Sequence, residues 1–306
     1  KRQSREPGLN SVHFSFSGGE PTRHPGYLEI VSAYAADREA RYQSLHLTSN
    51  LSAGIGWLRR YAQAARELHR VSVTASFHTE FAKREEFCEK LIFLQSEEIQ
   101  VTINMVMVPT RFDALWEEAL YFHELGINVT LKPQSNPTAT RIVDGYTPEQ
   151  LAKLRSGLPQ RDYTKARLAA LGKTSTRPIA PPLEKPMDSP TSGLGPAPQS
   201  MQVEFLDSEG KVWFMDQAER FNSFGFNNFR GWECSAGYRS IIIREPDGSI
   251  KRSYSCNDPP LGFIQSGFKL FDKIEPCTTN SCVSSADSKI PKRKAGAQAP
   301  LWPGGR

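Results

Sequence analysis

The chain has 306 residues, enough for one large domain and a smaller one. Apolar residues make up 38% of it, mean hydropathy is -0.48, and no apolar run approaches the roughly 20 residues that a membrane-spanning helix needs, so a membrane-embedded protein is not expected. The net charge of +5 is modest, and its basic clusters (Lys1, Arg2 and Arg5; Lys292, Arg293 and Lys294) sit at the ends without interleaved aromatics, which reads as solvated tails and argues against a nucleic-acid surface. The chain opens on Lys1 shortly before a strand signal, as a processed or partial chain would.

In chain order, the first strong element is a strand over 12–16, where apolar and polar residues alternate. Ser17-Gly18-Gly19 ends it. Two glycines remove two Cβ atoms and let peptide groups line a ligand surface, Glu20 offers a carboxylate to a cationic group, and Pro21 fixes φ as the chain turns away. A small-molecule site at a strand end accounts for these residues, and so does an ordinary turn. Periodicity then predicts a helix over 26–36, a strand over 44–48, a helix over 55–69, a strand over 71–77, a helix over 83–95, a strand over 100–108, a helix over 112–125 closed by Gly126, and a strand over 128–131. Strands separated by helices of this length predict a parallel sheet of βαβ units. Polar residues gather at the predicted strand ends: Asn50 after the second, Ser76 and His78 at the third, Asn104 within the fourth, and Lys132 with Gln134 after the fifth. Such residues build a site in parallel α/β folds, but they also cap helices. His13 falls within a strand, while His69 and His123 fall near helix ends.

Beyond residue 135 the pattern changes. Thr147 and Gln150 form a capping-box signature for a helix to about residue 156, and residues 174–200 hold seven prolines, a linker composition. Hairpins are predicted over 202–214 and 239–254, followed by a disordered tail. Of five cysteines, Cys88 reads as a small core residue. Cys234 and Cys256 flank the second hairpin, and Cys277 and Cys282 follow in a turn-rich loop. Four thiolates so placed suit either a tetrahedral zinc or an iron-sulfur cluster, with four free thiols or two disulfides as the alternative, and the lack of a Cys-x-x-Cys knuckle weighs against zinc.

Ser17-Gly18-Gly19-Glu20-Pro21 resembles the GGEP motif of the radical S-adenosyl-L-methionine (radical SAM) superfamily, and the cysteine region resembles the SPASM and twitch extensions of that superfamily. The resemblance covers about 12–134 and 232–287. It implies a partial (β/α) barrel lacking its first strand (1–135), a helix and Pro-rich linker (136–200), a β-hairpin cysteine region (201–287) and a disordered tail (288–306). It also implies cofactor contacts from Ser17, Gly18, Gly19, Glu20, Pro21, Asn50, Ser76, His78 and Asn104, and an auxiliary 4Fe-4S cluster on Cys234, Cys256, Cys277 and Cys282. The superfamily's Cys-x-x-x-Cys-x-x-Cys motif, which binds the catalytic 4Fe-4S cluster, is not in these 306 residues, so that cluster is expected only if such a motif lies upstream. No catalytic residue is assigned. The expected partners are a small-molecule or peptide substrate and an electron donor, in a cytoplasmic protein. The competing reading is a non-catalytic remnant in which the four cysteines hold zinc as a structural staple.

Overall fold

The computed structural model describes residues 11–37, 42–137, 142–178, 203–206, 212–215, 228–244, 247–282, 284, 287, 290 and 292–293. The predicted Pro-rich run beyond residue 178, the turn at 207–210 and the tail beyond residue 293 lie outside them. The chain divides into two units, residues 1–134 with 143–183, and residues 135–142 with 184–306.

The first unit is an α/β fold. Its elements run β1 (Ser11–Phe16), α1 (Tyr27–Ala36), β2 (Tyr42–Ser49), α2 (Ile55–Ala64), β3 (Arg70–Ser76), α3 (Arg84–Ser96), β4 (Gln100–Met107), α4 (Phe112–Glu124) and β5 (Asn128–Pro133), and then α5 (Pro148–Ser156) and α6 (Tyr163–Ala170). The strands form one parallel sheet in the order β1-β2-β3-β4-β5, so each βαβ unit places its strand next to the preceding one. Burial on β3 alternates strictly, and its buried Val71, Val73 and Ala75 join Leu45 and Leu47 of β2 and Ile103 and Met105 of β4 against Val31, Leu58, Leu91 and Phe122 of the helices. Most parallel strands are apolar on both faces because helices cover both. Here the period of two leaves the second face polar.

Helix α2 ends at Ala64, five residues before the predicted 69. The chain must turn there to feed β3, and it does so through a turn whose exposed carbonyls are met from elsewhere. The Arg177 guanidinium donates to the carbonyls of Ala65, Leu68, Glu97 and Glu98. His69 is therefore a turn residue, and its Nδ1 accepts from the Gln43 N–H at 3.2 Å. The capping box of α5 forms as predicted between Thr147 and Gln150. Helix α6 has too short an apolar stripe to be predicted. Arg167 fixes it by donating to Gln95 at 2.6 Å and to the Leu125 carbonyl at 2.7 Å.

Residues 175–177 act as a strap across the ends of α2 and α3. Glu98, held at a positive φ of 61°, accepts from Ser175 and from the amide and hydroxyl of Thr176. Burial raises the Glu98 carboxyl, but these hydrogen bonds outweigh it and the net direction is downward. A carboxyl depressed in the folded state stabilises above its unfolded value and loses that contribution as pH falls. Acidification below about pH 4 should therefore loosen the strap first. Amide exchange of residues 172–177 should rise there before that of β3 and β4, and Arg177→Ala should produce the same pattern at neutral pH. Equal rates across the unit in both cases would contradict this.

In the second unit, β6 (Val203–Leu206) and β7 (Val212–Met215) form the first predicted hairpin. Then come β8 (Glu233–Cys234), β9 (Ile242–Ile243), β10 (Ser249–Lys251), β11 (Gly262–Phe263), β12 (Gly267–Phe268), β13 (Glu275–Pro276) and β14 (Lys292–Arg293). The second hairpin forms between β9 and β10, shorter than predicted, and continues into the four-stranded order β12-β11-β10-β9. Strands β11 and β12 carry too few residues for any periodic signal. Gly262 is essential to their pairing: its φ is +138°, and a Cβ there would lie 2.4 Å from the Gly267 carbonyl oxygen. Lys292 and Arg293, within the tail predicted to be disordered, pair with β8.

Candidate functional site

At the C-terminal end of β1, Gly18 and Gly19 adopt φ values of +91° and +55°, and nothing lies within 4 Å of where a Cβ would be. Backbone conformation, not crowding, requires glycine at both positions. Glu20 caps the short 3-10 turn Pro21–Arg23. Its carboxylate accepts from the amide (3.2 Å) and hydroxyl (2.7 Å) of Thr22, from the Ser49 hydroxyl (2.8 Å) and from the Asn50 amide (2.7 Å). The carboxylate predicted to meet a ligand's cation is thus engaged by the chain itself, and it ties the end of β1 to the end of β2.

The other predicted residues fall at the same end of the sheet. Asn50 presents its amide to Glu20 and uses its side-chain oxygen to accept from Ser52 at 2.9 Å, a turn-forming role. Ser76 and Asn104 are neighbours across β3 and β4, and the Asn104 carbonyl accepts from Phe77. His78 is exposed on the loop after β3, where Arg111 reaches both Thr79 and Glu80. Ser17 is exposed beside the glycines, and Pro21 begins the 3-10 turn.

Below these ends the polar face of the sheet is built in rows. Ser15, His46, Ser72 and Gln100 form one row across β1 to β4. Thr48, Thr74, Thr102 and Asn128 form the next, and Ser76, Asn104 and Thr130 the one above. His46 Nδ1 lies 2.8 Å from the Ser72 hydroxyl, and its Nε2 lies 3.4 Å from the Thr48 hydroxyl. His13 repeats the arrangement with Ser44 at 2.8 Å. Alternation of polar with apolar residues in the sequence carries this signal.

In the second unit, Cys234, Cys256, Cys277 and Cys282 are buried and unbridged. Cys234, Cys277 and Cys282 share one cluster with Phe229, Ala236, Trp232 and Ile290. Burial pushes the thiols of Cys234 and Cys256 up and that of Cys282 to about 12. Ser253 donates to Cys256 Sγ at 3.2 Å. Arg252, 4% exposed, is the organising side chain. It donates to the carbonyls of Ala236, Glu275 and Pro276, pairs with Asp258 at 3.1 Å and lies over the Phe271 ring. Asp287 meanwhile accepts from the amides of Tyr254 and Ser255. Nothing in the sequence singled out Arg252.

Among the described residues, no group of three or more His, Cys, Asp or Glu side chains is gathered closely enough to hold a metal ion. The four thiols have the chemistry of a metal site, but their present arrangement is not a coordination set. Cys88 lies buried on α3 in the core of the first unit. No helix among the described residues is long and apolar enough to cross a membrane. A scan against protein-family models finds no match, and a search of curated proteins finds no significant one.

Proposed function

We propose that this chain is part of a radical S-adenosyl-L-methionine enzyme. The observation that supports it is the pair of left-handed glycines at the end of β1, with open space where side chains would stand and Glu20 tied to the end of β2. In this reading the first unit is a partial (β/α) barrel. Ser17, Gly18 and Gly19 offer backbone groups to the methionine end of the cofactor. Glu20 and Pro21 hold that loop rigid, and Ser76, Asn104, Asn50 and His78 lie within the same strand-end group. When bound with its reducing cluster, the cofactor supplies a 5'-deoxyadenosyl radical for hydrogen abstraction. The protein contributes orientation and exclusion of water.

The four buried thiols suit an auxiliary 4Fe-4S cluster in donor type, and a metal would have to draw their loops together. No step is assigned to it. Hydrogen exchange tests the strand-end reading: S-adenosylhomocysteine should slow exchange of the peptide spanning residues 15–22 at least fivefold while leaving residues 228–282 unchanged. Unchanged exchange at 15–22 with saturating ligand would overturn it.

A further inference from the structure

Among the described residues, two that are not glycine have a positive φ: Glu98 at 61° and Leu51 at 53°. That backbone is disfavoured for leucine, because it brings Cβ against the following carbonyl, and it persists only where the surroundings hold it. Glu98 is held by the strap of residues 175–177. Leu51 stands directly after β2, beside the candidate site, and three contacts hold it. Its side chain is buried in the core, 2% exposed. Its amide donates to the Ser49 hydroxyl at 2.9 Å. Its carbonyl accepts from the Lys90 ammonium of α3 at 2.7 Å. A lysine at the margin of a helix's buried stripe ordinarily carries its ammonium out to water. Lys90, next to buried Leu91, instead closes a contact with a residue 39 positions earlier.

The same turn supplies Glu20 with its donors. The Ser49 hydroxyl accepts from the Leu51 amide and donates its own proton to one oxygen of Glu20 at 2.8 Å, while the Asn50 amide donates to the other at 2.7 Å. An ionised carboxylate only accepts, so these directions are fixed. Asn50 closes the turn by accepting from the Ser52 amide. Just beyond Gly18 and Gly19, Glu20 holds the amide and hydroxyl of Thr22 with its carboxylate and the Arg23 amide with its carbonyl. Contacts therefore run from α3 through Leu51, Ser49 and Asn50 to the loop after β1. With the Leu51 side chain fixed in the core, any change in its φ swings the amide that Ser49 accepts. We infer that Lys90 is a positioning residue for the Gly18–Gly19 loop: by holding the Leu51 carbonyl it keeps Leu51 left-handed and so aims the donors of Ser49 and Asn50 at Glu20. This rests on the radical SAM reading for the ligand that the loop receives, though not for the path itself.

Residue-resolved amide exchange of the full chain without ligand tests the path. Lys90→Met keeps the stem of the side chain and removes the donor. The amides of Asn50, Leu51 and Ser52, and those of Thr22 and Arg23 at the far end, should exchange at least tenfold faster, while β4 and β5 keep the parent's rates. Lys90→Arg, which retains a donor, should bring all of these amides back within twofold of the parent. Unchanged rates in Lys90→Met, or acceleration confined to residues 50–52, would overturn the inference. So would equal acceleration through β4 and β5, which would leave Lys90 a general stabilising residue. Calorimetric titration with S-adenosylhomocysteine is the second arm. Lys90→Met should weaken binding at least fivefold in the parent but less than twofold in Glu20→Ala, because the two changes cut one path. Equal weakening in both backgrounds would overturn the positioning role. A parent chain that binds no S-adenosylhomocysteine while the amides respond as expected would sink the radical SAM reading and leave the positioning role standing.

Discussion

Replacing Arg252 with methionine should cost the second unit about 3–5 kcal/mol, the scale for breaking a buried ion pair by removing one partner. The change would strip hydrogen bonds from three carbonyls and leave Asp258, with 24% of its side chain exposed, beside an apolar replacement. Those carbonyls belong to Ala236, two residues after Cys234, and to Glu275 and Pro276, just before Cys277, while Asp258 lies two residues after Cys256. The guanidinium therefore joins three of the four thiol-bearing segments. Lysine should not rescue the variant, because one ammonium cannot reproduce a planar fork aimed at several acceptors. The readouts are near-ultraviolet circular dichroism from Trp232 and the rate at which a thiol reagent labels the chain under native conditions. Labelling of Cys234, Cys256 and Cys277 should accelerate at least tenfold in both variants. Labelling at the original rate, with unchanged thermal unfolding, would show that the segments hold themselves together without Arg252.

The second large effect belongs to Glu20. Glu20→Ala removes an acceptor shared by two backbone amides and two hydroxyls, and should destabilise the first unit by about 2–3 kcal/mol in urea unfolding. Glu20→Gln should fall between the two proteins, since an amide keeps one accepting oxygen and turns a donor toward the other partners. In Glu20→Ala the loop of Gly18 and Gly19 loses its ties to Ser49 and Asn50, and in Glu20→Gln it loses one of them, so cofactor affinity should fall with stability. A Glu20→Ala protein within 0.5 kcal/mol of the parent would mean that these hydrogen bonds are replaced by water without loss.

The same residues show what the sequence could carry. The βαβ rhythm was legible because strands with an alternating stretch are followed by helical stripes, and the capping box at Thr147 was legible because its chemistry is local. The end of α2 was not. A stripe through Leu68 fits a longer helix, and the turn that replaces it is held by Arg177, more than a hundred residues away, which donates to its carbonyls. Strands β8 to β14 depend on long-range pairing of two or three residues each, below the length at which any period can be read. At the candidate site, the glycine pair announced itself by composition. The engagement of Glu20 by Ser49 and Asn50 required the register of β1 on β2, which places the two strand ends side by side. Arg252 is one arginine among many until the fold buries it.

The most direct measurement is calorimetric titration of S-adenosylhomocysteine into the parent chain and into Gly19→Val, a residue that the left-handed backbone at that position excludes. One site per chain is expected in the parent, with affinity weakened at least tenfold in Gly19→Val while its circular dichroism stays that of the parent. Saturable binding that is the same in both proteins, or no binding to the parent at all, would contradict it.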